Sequence, residues 1–136
     1  MRDFVLFAHV ILGLALIAFP IIILLYLKKQ TRWLKPLSFV TAAISWVLLL
    51  PAGNLYLTFY PATKTLVKAG AWPWAHSIVM ETKEHWGILL PIITTVAACL
   101  IYTGKKQESR KWWILVIIIS ILLGVMGRII KIGALA

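Results

Sequence analysis

The sequence predicts an all-α membrane protein in which four transmembrane helices form an up-down-up-down bundle. Of the 136 residues, 62% are hydrophobic, and the mean hydropathy is +0.95. The apolar residues also fall into four long runs separated by polar or basic stretches. A soluble domain is only about half apolar. We therefore expect residues 1–136 to form a single integral membrane domain.

Each apolar run has the length of a membrane-spanning helix, which needs about 20 residues. The predicted helices cover residues 4–27, 36–60, 80–103 and 112–131. Connections of a few residues make neighbouring helices antiparallel. The stretch of roughly 61–83 is predicted to be an outward loop that carries a short helix in the membrane interface. Because proline suits a first helical turn, the third helix could start as early as Pro73.

Basic residues predict the orientation of the bundle. The formal net charge is +10, and the cations crowd two connections: Lys28, Lys29, Arg32 and Lys35 in the first, Lys105, Lys106, Arg110 and Lys111 in the third. Positive loops stay in the cytoplasm. We therefore expect a prokaryotic cytoplasmic membrane with both termini on its extracytoplasmic side. Charge that flanks apolar runs indicates a lipid bilayer rather than nucleic acid as the partner.

Aromatic residues fit the same topology, because tryptophan and tyrosine favour the membrane interfaces. The tryptophans predicted at the inner interface are Trp33, Trp112 and Trp113, and those at the outer interface are Trp72, Trp74 and Trp86. Tyr56 and Tyr60 are expected as interface anchors, with a place in a quinone pocket as the alternative.

Ionisable residues occur at one depth on several helices. At a rise of 1.5 Å per residue, His9 lies roughly 8 Å inside the outer end of the first helix. His85 enters the third helix from the same side, within Glu81-Thr82-Lys83-Glu84-His85. Arg128 lies roughly 24 Å above the inner end of the fourth helix, and the second helix adds Asn54. Ionisable groups inside a membrane are costly and often functional, so we expect a site in the outer half.

A haem fits this pattern, since it needs axial ligands, commonly histidine, and an apolar slot. His9 and His85 are the candidate ligands. Gly13, one turn from His9, leaves room for a flat ring, and Arg128 or Asn54 is placed to meet the propionates. Lys83 is a further candidate for that role.

Two stretches, "FAHVILGLALIAF" and "KEHWGILLP", resemble the small four-helix membrane b-type cytochromes. The resemblance implies that His9 and His85 are the axial ligands of a haem b and that the chain serves in membrane electron transfer. An inner histidine pair is missing, so we expect one haem, near the outer face. A quinone site or a partner subunit would have to complete the electron path.

A non-haem metal site for copper, zinc or iron is one alternative. Glu81 and His85 are four residues apart on one helical face, and carboxylate with imidazole suits these metals. His76 could join them from outside. It lies nine positions before His85, however, and so points the opposite way on an ideal helix, which favours a solvated or interfacial histidine.

A cofactor-free anchor or accessory subunit of a larger membrane complex is the other alternative. Glu84 would then pair with Arg128 or Lys83, and His9 would hydrogen-bond to a backbone carbonyl. The sequence contains no phosphate-binding glycine loop, no nucleophile beside a base and only one cysteine, Cys99. We therefore expect no catalysis by this chain alone, although a place in a membrane oxidoreductase complex requires none of these motifs.

Overall fold

The structure, a computed structural model, describes residues 1–29 and 31–136, and nearly all of them are helical. In that part of the chain, four helices are long and apolar enough to cross a membrane. They are α1 (Arg2–Tyr26), α2 (Leu34–Ala69), α3 (Ala75–Tyr102) and α4 (Lys106–Leu135). α1 and α3 each pack against α2 and α4, so α1 and α3 are diagonal in the bundle. The predicted four-helix membrane bundle is confirmed.

The bundle has two unlike ends. One end, which we call the termini side, holds both chain termini and the 70–74 turn between α2 and α3. Gly70 at this turn approaches the backbone of Gly133 and Ala136 near the end of α4. The other end, the basic-loop side, holds the connections 27–33 and 103–105.

The helices α2 and α3 run further than the sequence predicted. The 61–83 stretch is mostly helix: α2 continues to Ala69, and α3 begins at Ala75, close to the early start considered at Pro73. The 36 residues of α2 correspond to about 54 Å, against a hydrocarbon core of about 30 Å. The paired ends of α2 and α3 therefore project beyond the hydrocarbon on the termini side.

Both long helices contain irregular turns. In α2, helical geometry is interrupted at Leu48, between Leu34–Val47 and Leu49–Asn54. Pro51 lies one turn after Val47 and has no N–H to offer its carbonyl. Leu55–Phe59 of α2 and Ala75–Met80 of α3 are π-helical. Widened turns of this kind are frequent at functional sites.

The main apolar core lies in the half of the bundle nearer the basic-loop side. All four helices contribute fully buried side chains, which include Leu16, Ile23, Leu34, Ala97, Ile101, Trp113 and Val116. Trp113 is 0% exposed, so its large ring packs inside this core rather than on the outer surface of the bundle.

Thr41 and Thr94 satisfy their hydroxyl groups locally, whereas Ser120 Oγ has no partner among the described residues. Thr41 donates to the Leu37 carbonyl at 2.7 Å, and Thr94 donates to the Leu90 carbonyl at 2.6 Å. These bonds within one turn let a polar side chain stay buried in an apolar environment. Trp46 and Thr95 form a hydrogen bond between two helices: the indole N–H of Trp46 in α2 donates to Thr95 Oγ1 in α3 at 2.9 Å.

A close approach fixes the end of α4 against the start of α3. A Cβ on Gly133 would lie 3.1 Å from the Ala75 Cβ and 3.7 Å from the Trp72 Cβ. Both Gly133 and Ala75 are buried. The small residues therefore bring the 70–74 turn and the C-terminal turns of α4 together.

We predict that Gly133→Val destabilises the protein, because a branched side chain does not fit at 3.1 Å from Ala75. Overpacking of this kind costs about 1–3 kcal/mol, and it is measured as a lower midpoint of thermal unfolding in detergent. Gly124→Val on the same helix is the control, since nothing lies within 4 Å of a Cβ there. Equal midpoints for the two variants would contradict this packing.

Candidate functional site

Polar side chains from three helices gather in the half of the bundle nearer the termini side, against the backbone of the fourth. We call this group the polar cluster; its members are His9, Tyr56, Tyr60, His76, Glu81, Lys83 and Glu84. Lys83 brings α3 close to the residues of α4 and of the diagonal helix α1. It belongs to α3, its Nζ lies 3.1 Å from the position of a Cβ on Gly127 of α4, and it lies near His9 of diagonal α1. Polar groups from different helices therefore meet here around Lys83, but they are not the predicted set of His9, His85 and Arg128.

Gly127 makes the position of Lys83 feasible. A side chain at residue 127 would occupy the space of the Lys83 ammonium group, which is 3.1 Å away, and of its Cε, 3.8 Å away. Lys83 is only partly exposed. The ammonium group is thus held between α1 and α4, where a ligand with negative charge would stabilise it.

His9 carries an unsatisfied nitrogen. Its Nδ1 is buried and has no hydrogen-bond partner among the described residues, so the backbone bond expected for a cofactor-free subunit is not seen there. Leaving such an atom unpaired costs about 1–3 kcal/mol. Beside it, Gly13 has nothing within 4 Å of its Cβ position. His9 therefore combines a free nitrogen with open space one turn away.

Glu84 presents a second unsatisfied atom. Its Oε1 is buried and, in residues 1–29 and 31–136, makes no hydrogen bond. The carboxylate lies near the Tyr56 hydroxyl of α2, and no ion pair with Lys83 or Arg128 is formed within 4 Å in this part of the chain. Buried atoms of this kind call for an explanation, such as a water, an ion or a ligand.

A hydrogen-bonded pair lies between these buried groups and the surface. Tyr60 Oη and His76 Nδ1 are 2.8 Å apart, and both residues are buried. His76 Nε2 is 3.8 Å from Glu81 Oε1, and Glu81 is half exposed. On the other side, the Tyr60 ring stacks on Tyr56 with centroids 5.5 Å apart. Titratable side chains thus lie next to one another from exposed Glu81 to the Tyr56 ring beside Glu84, and the Tyr60–His76 hydrogen bond joins two of them.

His76 and Tyr60 differ from their predicted roles. His76 is 6% exposed and Tyr60 is 8% exposed, so neither is a solvated or interfacial side chain. The reason is the extension of α2 and α3, which places the two residues on facing helices. Tyr56 and Tyr60 lie four residues apart on one face of α2, and that spacing was the available signal in the sequence.

His85 lies away from this cluster. It is exposed, and its Nδ1–H donates to the Glu81 carbonyl of its own helix at 2.6 Å. Two residues correspond to about 200° of rotation around a helix. Because Lys83 points into the bundle, His85 points out of it, and the structure does not gather His9 and His85 into one interior site.

The other predicted cofactor contacts are also on the outside. Arg128 and Asn54 are exposed, and neither side chain makes a hydrogen bond or an ion pair with the described residues. Arg128 follows Gly127 by about 100° of helical rotation, which turns it away from Lys83. Of the predicted contacts, the structure brings together His9, Gly13 and Lys83.

The alternative metal site is only partly assembled. His76 and Glu81 approach each other at 3.8 Å, but the exposed ring of His85 does not complete a set of three with them. Among the residues that the structure describes, no group of three or more His, Cys, Asp and Glu side chains is placed to hold a metal ion.

Comparisons of the chain with protein families, with curated proteins and with solved structures found no match.

We predict that Tyr60→Phe destabilises the protein by about 1–3 kcal/mol, because it leaves the buried His76 Nδ1 without a partner. Thermal unfolding in detergent measures the effect. Tyr102→Phe is the matched control, since Tyr102 is 48% exposed and its hydroxyl makes no hydrogen bond with the described residues. A loss no greater than that of the control would show that the Tyr60–His76 bond contributes nothing.

Proposed function

We propose that this protein is a membrane subunit for electron transfer and that it binds one haem b on the termini side of the bundle. The observation that carries the proposal is His9, whose buried Nδ1 is unpartnered at the place where polar groups converge. Histidine is the commonest axial ligand of haem in proteins of this type. We assign the axial position inside the bundle to His9.

Two neighbours of His9 support a haem there. The open space at Gly13 gives room for the edge of a flat macrocycle. The ammonium group of Lys83 lies near His9 and would neutralise a propionate, which is a carboxylate. The bound haem would supply one-electron chemistry, and the chain's own residues would set its orientation and charge environment.

His85, unlike His9, is not assigned as an axial ligand inside the bundle. Its Nδ1–H donates to the Glu81 carbonyl, which leaves Nε2 free, as in many histidine ligands. However, the ring is on the outer surface of α3. His85 would therefore not be a ligand of the haem proposed at His9.

The proposed setting is a prokaryotic cytoplasmic membrane with the basic-loop side in the cytoplasm. The cationic residues of the 27–33 and 103–105 connections and their flanks support this orientation. Both termini and the polar cluster would then face the outside. One haem at this end does not span the bilayer, so a quinone or a partner subunit would be needed to deliver or receive electrons.

We predict that protein expressed with ample haem and purified in detergent shows a Soret band, and that His9→Ala abolishes it. His85→Ala is the matched control and is expected to keep most of the haem, because its ring points out of the bundle. Absorption spectra and haem content per protein are the measurements.

Three outcomes separate the assignments. A wild-type protein without a Soret band would contradict the haem proposal. Complete loss of haem in both variants would support ligation by His9 and His85 together. Retention of haem by His9→Ala would show that His9 is not the ligand.

A cofactor-free accessory subunit is the second candidate. The observation in its favour is the pair of exposed polar residues, His85 and Arg128. An arginine in the bilayer costs about 2.5–3.5 kcal/mol by insertion scales, and a carboxylate of a neighbouring subunit would reduce that cost.

We predict for this candidate that native membranes contain the protein in a complex larger than its 15.3 kDa mass, without haem. Arg128→Leu should release the monomer, whereas Lys131→Leu, one turn further along α4, should not. Native gels of mild detergent extracts report both. An unchanged complex with Arg128→Leu would exclude Arg128 as the contact.

A further inference from the structure

A groove opens on the basic-loop side, between the end of α1 and the start of α4. Its volume is about 420 Å³, and its wall includes Lys28, Lys29 and Leu25 of one helix end and Gln107, Arg110 and Ile114 of the other. It lies at the opposite end of the bundle from the polar cluster. Nothing in the proposed function involves it.

The groove is electropositive. Three cationic side chains line it and no acidic side chain does. In the described part of the chain, none of the three lies within 4 Å of a carboxylate. Lys29 Nζ lies 4.8 Å from the centre of the Tyr26 ring, which holds it at the level of the interface. These charges have no counter-ion within 4 Å among residues 1–29 and 31–136.

The start of α4 adds hydrogen-bond donors. The N-cap residue Lys105 makes no side-chain cap, so the first N–H groups of the helix, Gln107 among them, are free to bind an acceptor. The positive end of the helix dipole also favours an anion here. The free N–H groups and the helix dipole therefore favour binding of an anion, as the three cations do.

The groove changes from charged to apolar within one helical turn on both walls. Leu25 lies in the last turn of α1, just before Lys28 and Lys29. Ile114 follows Arg110 by four residues, which is about 6 Å along α4. In each case the apolar residue is the one deeper in the membrane. Leu25 is 69% exposed and Ile114 is 39% exposed, so the apolar part opens towards lipid. This order, cation at the interface and aliphatic surface below, matches a phosphate group followed by an acyl chain.

We propose that this groove binds one anionic glycerophospholipid, with its phosphate between Lys29 and Arg110 and an acyl chain along Leu25 and Ile114. Basic pockets between transmembrane helices are known to hold such headgroups. A free phosphate shares the charge but not the chain, and the apolar wall therefore favours the lipid.

The test uses the full chain in mixed vesicles of phosphatidylglycerol and phosphatidylcholine, followed by native mass spectrometry of the released protein. We expect one retained phosphatidylglycerol, and an affinity about 30-fold lower for Lys29→Gln/Arg110→Gln, since each cation contributes about 1 kcal/mol. The control is Lys64→Gln/Lys68→Gln, which removes the same charge from the other end of the bundle. It should retain the lipid as the wild type does.

Two results would overturn the proposal. An equal loss in both double variants would show general attraction to the protein's positive charge rather than a site. Displacement of the lipid by millimolar inorganic phosphate would show that the groove binds free anions and that the acyl chain contributes nothing.

Discussion

The placement of one ammonium group inside the bundle determines much of the termini side. Lys83 lies against Gly127 and near His9, and α3 must be rotated to put it there. That rotation turns His85 outwards by about 200° and brings Glu84 near Tyr56 of α2. A partly buried ammonium group without an ion pair among the described residues is stabilised by a ligand or an ordered polar network.

The two halves of the bundle differ in the side chains that they bury. Fully buried aliphatic side chains and Trp113 hold the four helices together near the basic-loop side. Thr41 and Thr94 there bond within their own helices, whereas Trp113 Nε1 and Ser120 Oγ are buried without a partner among the described residues. Near the termini side, the unsatisfied atoms belong to the ionisable side chains His9 and Glu84.

The groove and the polar cluster lie at opposite ends of the bundle and in different surroundings. The groove at the basic-loop side lies at the boundary between headgroups and acyl chains, where basic side chains and leucine or isoleucine both find suitable surroundings. The polar cluster extends inwards from the projecting ends of α2 and α3, with Glu81 half exposed and His76 buried behind it. Charge at one end thus fits the proposed binding of anionic lipid, and the titratable groups at the other end surround the place where we propose the haem.

The sequence by itself determined the four helices, because runs of about 20 apolar residues have no other stable form in a bilayer. It also located the concentration of polar residues in one half. It did not determine the continuation of α2 and α3 through 61–83, because lysines and threonines on an exposed helix face look like a loop in sequence. Only tertiary packing decided which of Lys83 and His85 faces the interior, since neighbours two positions apart differ in direction and the chosen face depends on the space left by Gly127.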